Sequence, residues 1–367
     1  MAGRADGGRR PGSAAPEVGP AGRTARASRA TNGATVTSHD VARLAGVSQT
    51  TVSRALRGHP SVPEPTRNRV LDAATVLGYV PNQLGRSLAT RATQRIAMVA
   101  DLENPLYPTL LTPVHDALAA LGYQTLLFAG HQENLTGLAG LFDRSVDGAI
   151  LSTATVNSSL PFELDRHGTP FVYLNRVSDA VERDSVSADD SGGSAQVAEL
   201  LLSLGHRDIG MLLGPETTST SRDREGGFVA RLAEAHLAVP PVWTAHTEYT
   251  EATGYEAFHR VMGTPTRPTA LFCANDWVAV GALNGAKQAG LEVPGDLTII
   301  GFDDLPVAAW PTVDLTTVHN RIAENAVAAA QILVRRLRSG ASVPWTHEVT
   351  PTSLVLRGTH GRPSRAH

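Results

Sequence analysis

The chain has 367 residues, 42% hydrophobic and 18% charged, which is enough to bury cores in two or three domains and excludes a wholly disordered protein. Its formal net charge of −3 hides an asymmetry: residues 1–95 hold 14 arginines against 5 acids, and the remainder holds 18 basic residues against 30 acids. A basic head on an acidic body is the footprint of a head that meets a polyanion, usually nucleic acid. The single cysteine, Cys273, excludes an intrachain disulfide, and no apolar run reaches the length of a membrane span. Residues 1–35 carry arginines but no apolar leader segment, so a reducing cytoplasm is the expected compartment.

Residues 1–35 are rich in Gly, Ala, Arg, Ser and Pro without apolar periodicity, the composition of a disordered basic tail. Thr37-Ser38-His39-Asp40 fits a capping box, and Val41, Ala42, Leu44 and Ala45 give the following helix an apolar face. Gly46 fits the left-handed stop, and Ser48 can cap a second helix with Val52, Ala55 and Leu56 inward. Small Ala42, turning Gly46 and space-filling Val52 are what two helices at a tight turn require, so residues 36–81 read as a helix-turn-helix domain. A third helix is predicted over Glu64–Leu77 with Gly78 as its stop. Residues 82–94 read as a short helix, Gln83–Ala89, and a polar linker.

From Arg95 the pattern changes to apolar runs alternating with helical stretches. Strands are predicted at Ile96–Ala100, Gln124–Phe128, Gly148–Leu151, Phe171–Leu174, Ile209–Leu213, Ala270–Cys273 and Leu297–Gly301. Helices are predicted at Pro108–Leu121, Ser191–Leu204, Arg224–Ala235, Thr250–Met262, Trp277–Ala289 and His319–Arg338. This alternation implies parallel sheets covered on both faces, with too many strands for one small sheet. The fold expected is an all-α helix-turn-helix head followed by an α/β body, residues 95–358, of two doubly wound parallel-sheet subdomains. The chain is expected to cross between them near 190 and 318, and residues 359–367 form a tail.

The run Val36-Thr37-Ser38-His39-Asp40-Val41-Ala42-Arg43-Leu44-Ala45-Gly46-Val47-Ser48, continued by Thr51-Val52-Ser53-Arg54-Ala55-Leu56, resembles the opening of the lactose and galactose repressor (LacI/GalR) family. Leu77-Gly78-Tyr79, Pro81-Asn82 and Arg86-Ser87-Leu88 extend the match. In the body, Asn104-Pro105, Gly205-His206-Arg207, Ala274-Asn275-Asp276 and Gly301-Phe302-Asp303-Asp304 resemble the family's effector-binding core, whose fold is that of periplasmic binding proteins. The resemblance runs from about Val36 to Gly358. It implies a dimeric transcriptional regulator, most often a repressor, whose grip on double-stranded, pseudo-palindromic operator DNA responds to a small effector.

In a helix-turn-helix the second helix enters the major groove. Arg54 can pair with a guanine edge and Gln49 with adenine. The resemblance places Gln49 and Thr50 at positions that vary with operator sequence. Thr37, Ser48, Thr51, Ser53 and Asn82 are short polar groups suited to phosphate contacts, with capping the other reading for Ser48 and Thr51. The resemblance makes Gln83–Ala89 a hinge helix that pairs with its dimer mate in the minor groove, with Arg86 beside it and Leu88 wedged into a base step. Gly85 lies within it where many relatives carry Ala and costs about 1 kcal/mol of helix propensity, so Gly85→Ala is expected to tighten operator binding and to weaken the response to effector. Pro63 stands where relatives often have a Ser cap, which leaves open a shifted start of the third helix.

Effector candidates follow strand ends: Tyr107, Asn175, Arg176, Arg224, Asn275, Trp277 and Asp303. Tyr107 and Trp277 offer rings for stacking or for packing, and Arg176 a ligand contact or a hinge ion pair. The resemblance assigns Arg224 as the main effector arginine, and its expected place at a helix start, where a cation opposes the dipole, weakens a purely structural role. Asp276 reads as a helix cap and Asn275 as facing the cleft. Arg224, Asn275 and Asp303 together suit a polyol, so a carbohydrate effector is expected. Asp189-Asp190 stands where relatives often have Asp-Asn, either an added acceptor or a helix cap.

Two other classes fit the sequence less well. A secreted sugar-binding protein shares the body but not the head. An enzyme would have to use the Asp303-Asp304 or Asp189-Asp190 pairs without a nucleophile–base partner, so no catalytic residue is assigned. Histidines without ligand spacing argue against a metal site, and no cofactor is expected. The segment after Arg357 lacks a leucine heptad, so a homodimer is expected.

Overall fold

The computed structural model describes residues 36–80, 92–102, 104–129, 135–339 and 343–364. They belong to two compact units, one ending at Asn82 and the other beginning at Gln83.

The first unit comprises α1 (Ser38–Ala45), α2 (Gln49–Leu56) and α3 (Glu64–Leu77). The Thr37 amide and hydroxyl both donate to the Asp40 carboxylate, at 3.0 and 2.8 Å, and hold that carboxyl below its usual range. Gly46 takes a left-handed φ of 65° and ends α1. Ser48 Oγ accepts the Thr51 amide at 3.1 Å and caps α2. Val52 is fully buried among Val41, Ala42, Ala45, Ala55, Val70, Ala73 and Ala74. Leu44, expected inward, is instead 53% exposed, because at helical spacing it falls off the edge of the stripe formed by Val41, Ala42 and Ala45. Helix α3 keeps the predicted start although Pro63 supplies no cap, since Pro65 sits in the first turn, where no amide is needed.

The second unit holds two parallel sheets. The first contains β1 (Arg95–Ala100), β2 (Gln124–Ala129), β3 (Gly148–Leu151), β4 (Phe171–Leu174), β5 (Ser185–Ala188) and β11 (His347–Thr350), in the order β11-β5-β4-β3-β1-β2. The second contains β6 (Ile209–Leu213), β7 (Thr244–His246), β8 (Ala270–Cys273) and β9 (Thr298–Ile300), in the order β7-β6-β8-β9. A short antiparallel pair joins β10 (Thr317–His319) to β12 (Ser353–Val355). Strands β3, β4, β6 and β8 are buried along their whole length, which is why they read as unbroken apolar runs.

Helices α4 (Tyr107–Ala120), α5 (Leu160–His167) and α10 (Ile322–Ser339) cover the first sheet. Helices α6 (Asp190–Leu204), α7 (Ser219–Glu234), α8 (Glu251–Met262) and α9 (Asp276–Gln288) cover the second. The chain passes from the first sheet to the second after β5, returns between β10 and α10, and passes a third time between β11 and β12. The body begins firmly: Asp147 accepts the amides of Thr93 and Gln94, at 2.6 and 2.8 Å, just before β1. In both sheets the strand order reverses beside the first strand, at β1/β3 and at β6/β8. Loops leaving the carboxyl ends there form the natural ligand crevice of such a sheet.

Candidate functional site

The head presents its candidates on one surface. Gln49, Thr50, Ser53 and Arg54 are exposed, opposite the buried Val52 and Ala55. Some are already engaged: Gln49 Nε2 donates to Ser38 Oγ at 3.0 Å, and the Ser48 and Thr51 hydroxyls lie 2.9 Å apart. Arg57 was not among the sequence candidates. Its guanidinium bonds back to Ser53, through Nε to the carbonyl at 2.9 Å and Nη2 to the hydroxyl at 2.7 Å. It lies one turn beyond Ser53 on the same face, a signal readable from the 3.6-residue repeat. Asn82, Gly85, Arg86, Leu88 and the hinge helix lie outside the described residues.

In the body a cavity of about 470 Å³ opens between the carboxyl ends of the two sheets. From the first sheet come Asp101, Asn104, Thr153, Thr155, Asn157 and Arg176; from the second come Thr217, Thr218, Glu248 and Tyr249. The volume suits a small ligand, and the lining is rich in hydroxyl and amide groups. The two halves touch across its mouth. The Val156 amide donates to the Thr217 carbonyl at 2.8 Å, the Val177 amide to Ser219 Oγ at 3.0 Å, and Arg222 Nη1 to Asp179 at 2.8 Å.

Arg176 joins this cavity to a narrow recess lined also by Asn175, Arg224, Asn275 and Asp303. The structure thus brings five of the seven sequence candidates together. Arg176 is only 8% exposed, its guanidinium lies 5.2 Å from the Tyr249 ring centroid, and its Nε has no hydrogen-bond partner. Arg224 is 2% exposed; Nε donates to Asp190 at 2.7 Å, Nη2 to Asp303 at 2.9 Å, and Nη1 to the Ala274 carbonyl. Burial works against its charge, but Asp303 and Asp190 outweigh it and hold the guanidinium protonated. Burial pushes Asp190 up to about 6 and raises Asp303, against the opposing pull of Arg224 on both.

Three local expectations change. Helix α7 begins at Ser219, capped by Thr218, so Arg224 sits in its second turn and the dipole argument does not apply. What places Arg224 is Gly227: a β-carbon there would overlap the Ser191 carbonyl, so its absence lets α7 close on the start of α6, where Asp190 lies. Asn275, not Asp276, caps α9: its Oδ1 accepts the Val278 amide at 2.8 Å. Asp276 is fully buried and accepts from the Leu305 amide at 2.6 Å and from the Thr317 hydroxyl. Asp189 caps α6 through the Gly192 amide at 2.8 Å, whereas Asp190 turns inward to Arg224.

The two aromatic candidates line neither cavity. Tyr107 is fully buried, and its hydroxyl donates to the Ser152 carbonyl at 2.7 Å. Burial raises that phenol to about 12. Trp277 packs on Leu106, Leu305 and Val307. Cys273 is buried in β8, and burial pushes its thiol up. Among the described residues no cluster of His, Cys, Asp or Glu could hold a metal ion, and no helix is long and apolar enough to cross a membrane.

A helix-turn-helix head on a two-sheet body with a polar crevice defines a DNA-binding regulator that carries its own ligand-binding module. Residues 37–82 match the model of bacterial regulatory proteins of the lacI family, and residues 198–360 match that of the periplasmic binding protein-like domain. The HTH-type transcriptional regulator MalR of Streptomyces coelicolor is 33% identical over 336 residues, covering 87% of this chain and 95% of that protein. The probable HTH-type transcriptional repressor ExuR of Bacillus subtilis is 30% identical over 302 residues, covering 82% and 91%. The lac repressor dimer bound to operator and the anti-inducer ONPF shares the fold with a TM-score of 0.80 at 25% identity, covering 91% of this chain and all of that one. The transcriptional regulator CelR in complex with cellobiose gives a TM-score of 0.68 at 30% identity, covering 88% and 99%. The chain belongs to the LacI family and is a transcriptional regulator, not an enzyme.

Proposed function

We propose that this regulator is a dimeric repressor that reads a pseudo-palindromic operator through α2 and binds a small carbohydrate in the body's cavity. In the head, Gln49, Thr50 and Arg54 face base edges, and Thr37, Ser48, Thr51 and Ser53 face phosphates. Asn82, Arg86 and Leu88 complete the DNA contacts in the same reading. In the body, Arg176, Arg224, Asn175, Asn275 and Asp303 bind the effector. The regulator works in the cytoplasm, on the nucleoid.

The observation that carries the effector reading is Arg176. A guanidinium nitrogen that is buried and unpartnered, in a cavity walled by hydroxyls and amides, is a donor awaiting an acceptor. Relatives point the same way, since CelR is described with cellobiose and the lac repressor with ONPF. Effector and operator binding are coupled if closure of the cavity differs between the DNA-competent and DNA-incompetent states. The test is a thermal-shift screen of neutral mono- and disaccharides, followed by fluorescence anisotropy on operator-like duplexes with and without each hit. A sugar that stabilises the body and changes operator affinity is the expected result. Arg176→Ala should abolish the shift, and a full set of sugars with no shift would refute the effector assignment.

A further inference from the structure

Three of the five N–H groups of Arg224 are already engaged within the protein. Its three nitrogens donate to Asp190, Asp303 and the Ala274 carbonyl, and its face lies 3.8 Å from the Phe302 ring centroid. Asp190, Asp303 and Arg224 are each less than a tenth exposed, so one buried positive charge meets two carboxyl groups. Asp276 is buried close enough to Asp303 for the two carboxyls to raise one another's cost of charging. The wall of the large cavity adds Asp101 and Glu248, with Arg176 as the other cation there. A carboxylate or phosphate entering this space meets a surplus of negative charge and a guanidinium already outweighed by two carboxyl groups. A neutral hydroxyl accepts from Arg176 Nε without that penalty.

Asp190 decides this balance. Asp189 holds the start of α6, and Asp276 holds Leu305 and Thr317, so both have structural duties. The Asp190 carboxylate instead bonds to Arg224. An amide of the same shape would fit its place and would remove the excess carboxyl, leaving Arg224 balanced by Asp303 alone.

We infer that Asp190 is a specificity-determining residue: by adding a second carboxyl to the Arg224–Asp303 pair it selects uncharged polyhydroxylated effectors and rejects anionic ones such as uronates and sugar phosphates. This rests on the cavity being the effector site, as proposed above.

The experiment compares the full chain with Asp190→Asn, and with Asp190→Ser should the first variant fold poorly. Binding of glucose, cellobiose, glucuronate, glucose 6-phosphate, acetate and inorganic sulfate is followed by calorimetry and thermal shift against a sodium chloride control. The parent should show no anion-specific binding, and the variants should gain at least tenfold in affinity for acetate, sulfate and the acidic sugars. Adding Arg224→Met to the variant should remove that gain. A parent that binds anions as tightly as Asp190→Asn overturns the inference, as does a gain that survives Arg224→Met. If no neutral sugar binds the parent, the carbohydrate reading fails, whereas the acetate and sulfate arms still decide the role of Asp190.

Discussion

Residues 36–80 bury nine side chains, and all nine are valine or alanine; the body buries Arg176, Asp190, Arg224, Asn275, Asp276 and Asp303 beside its aliphatic core. The contrast follows from the size of what each binds. DNA is too large to enclose, so the head keeps its polar groups outside and uses its interior only to hold three helices in place. A small effector is enclosed, so the body's polar groups must leave water with it. Each then needs a partner, and the pairing of Arg224 with Asp190 and Asp303 is that requirement met. The head's interior is therefore held by shape alone and the body's partly by charge.

The largest expected effect breaks the charge side. Arg224→Ala leaves buried carboxyls unpaired and should destabilise the body by about 3–5 kcal/mol, read as a fall in its melting transition. The head's own transition should not move, and a fall in both would deny the separation of the two units. On the outer surface, Arg54→Ala should cost about 1–3 kcal/mol of discrimination at one base position and leave the head's melting temperature unchanged. Footprinting on a randomised operator would show it, and an unaltered base preference would exclude Arg54 from readout.

Val52→Ala sharpens the shape side. Losing the buried methyl groups should cost about 2 kcal/mol. A unit this small has only about 2–7 kcal/mol to lose, so the head of the variant should melt well below the body. Ser48→Ala removes the cap of α2 and should cost about 1 kcal/mol, measurable without DNA.

The smallest effect is in pH. Burial raises Asp190 to about 6, so the folded body holds this proton more tightly than the unfolded chain. That contribution is complete below about pH 4 and is lost as pH rises through 6. Between about pH 5 and 7 the parent should therefore lose more thermal stability than Asp190→Asn. Parallel curves would show that Asp190 is not the group titrating there.

The head was readable because its signals are local. The Thr37–Asp40 box, Gly46, Ser48 and Val52 each act within a few residues. Strands β3, β4, β6 and β8 were readable because burial on both faces leaves unbroken apolar runs. Short strands with polar residues were not: β5, β7 and β11 lack an apolar run, and their neighbours in the sheets define them. Helix α5 was missed for a related reason, since a single eight-residue helix with two charged acids and an arginine gives little apolar period. The start of α7 does carry a local signal, since the Thr218 hydroxyl accepts the Ser221 amide.

Sequence by itself determined the order of the parts: a basic head, a linker and an acidic body of alternating strands and helices. It also singled out Arg176, Arg224 and Asp303, which line the cavity and its recess. Only the tertiary structure decided how these are joined. Asp190, Arg224 and Asp303 are far apart in the chain, and they meet because strand ends from the second sheet converge and Gly227 lets two helices close. The serine and threonine lining of the cavity was likewise invisible, since in a single loop such residues read as turns. They become a binding surface only where two sheets face each other, because enclosure, not composition, makes an unmet hydrogen bond costly.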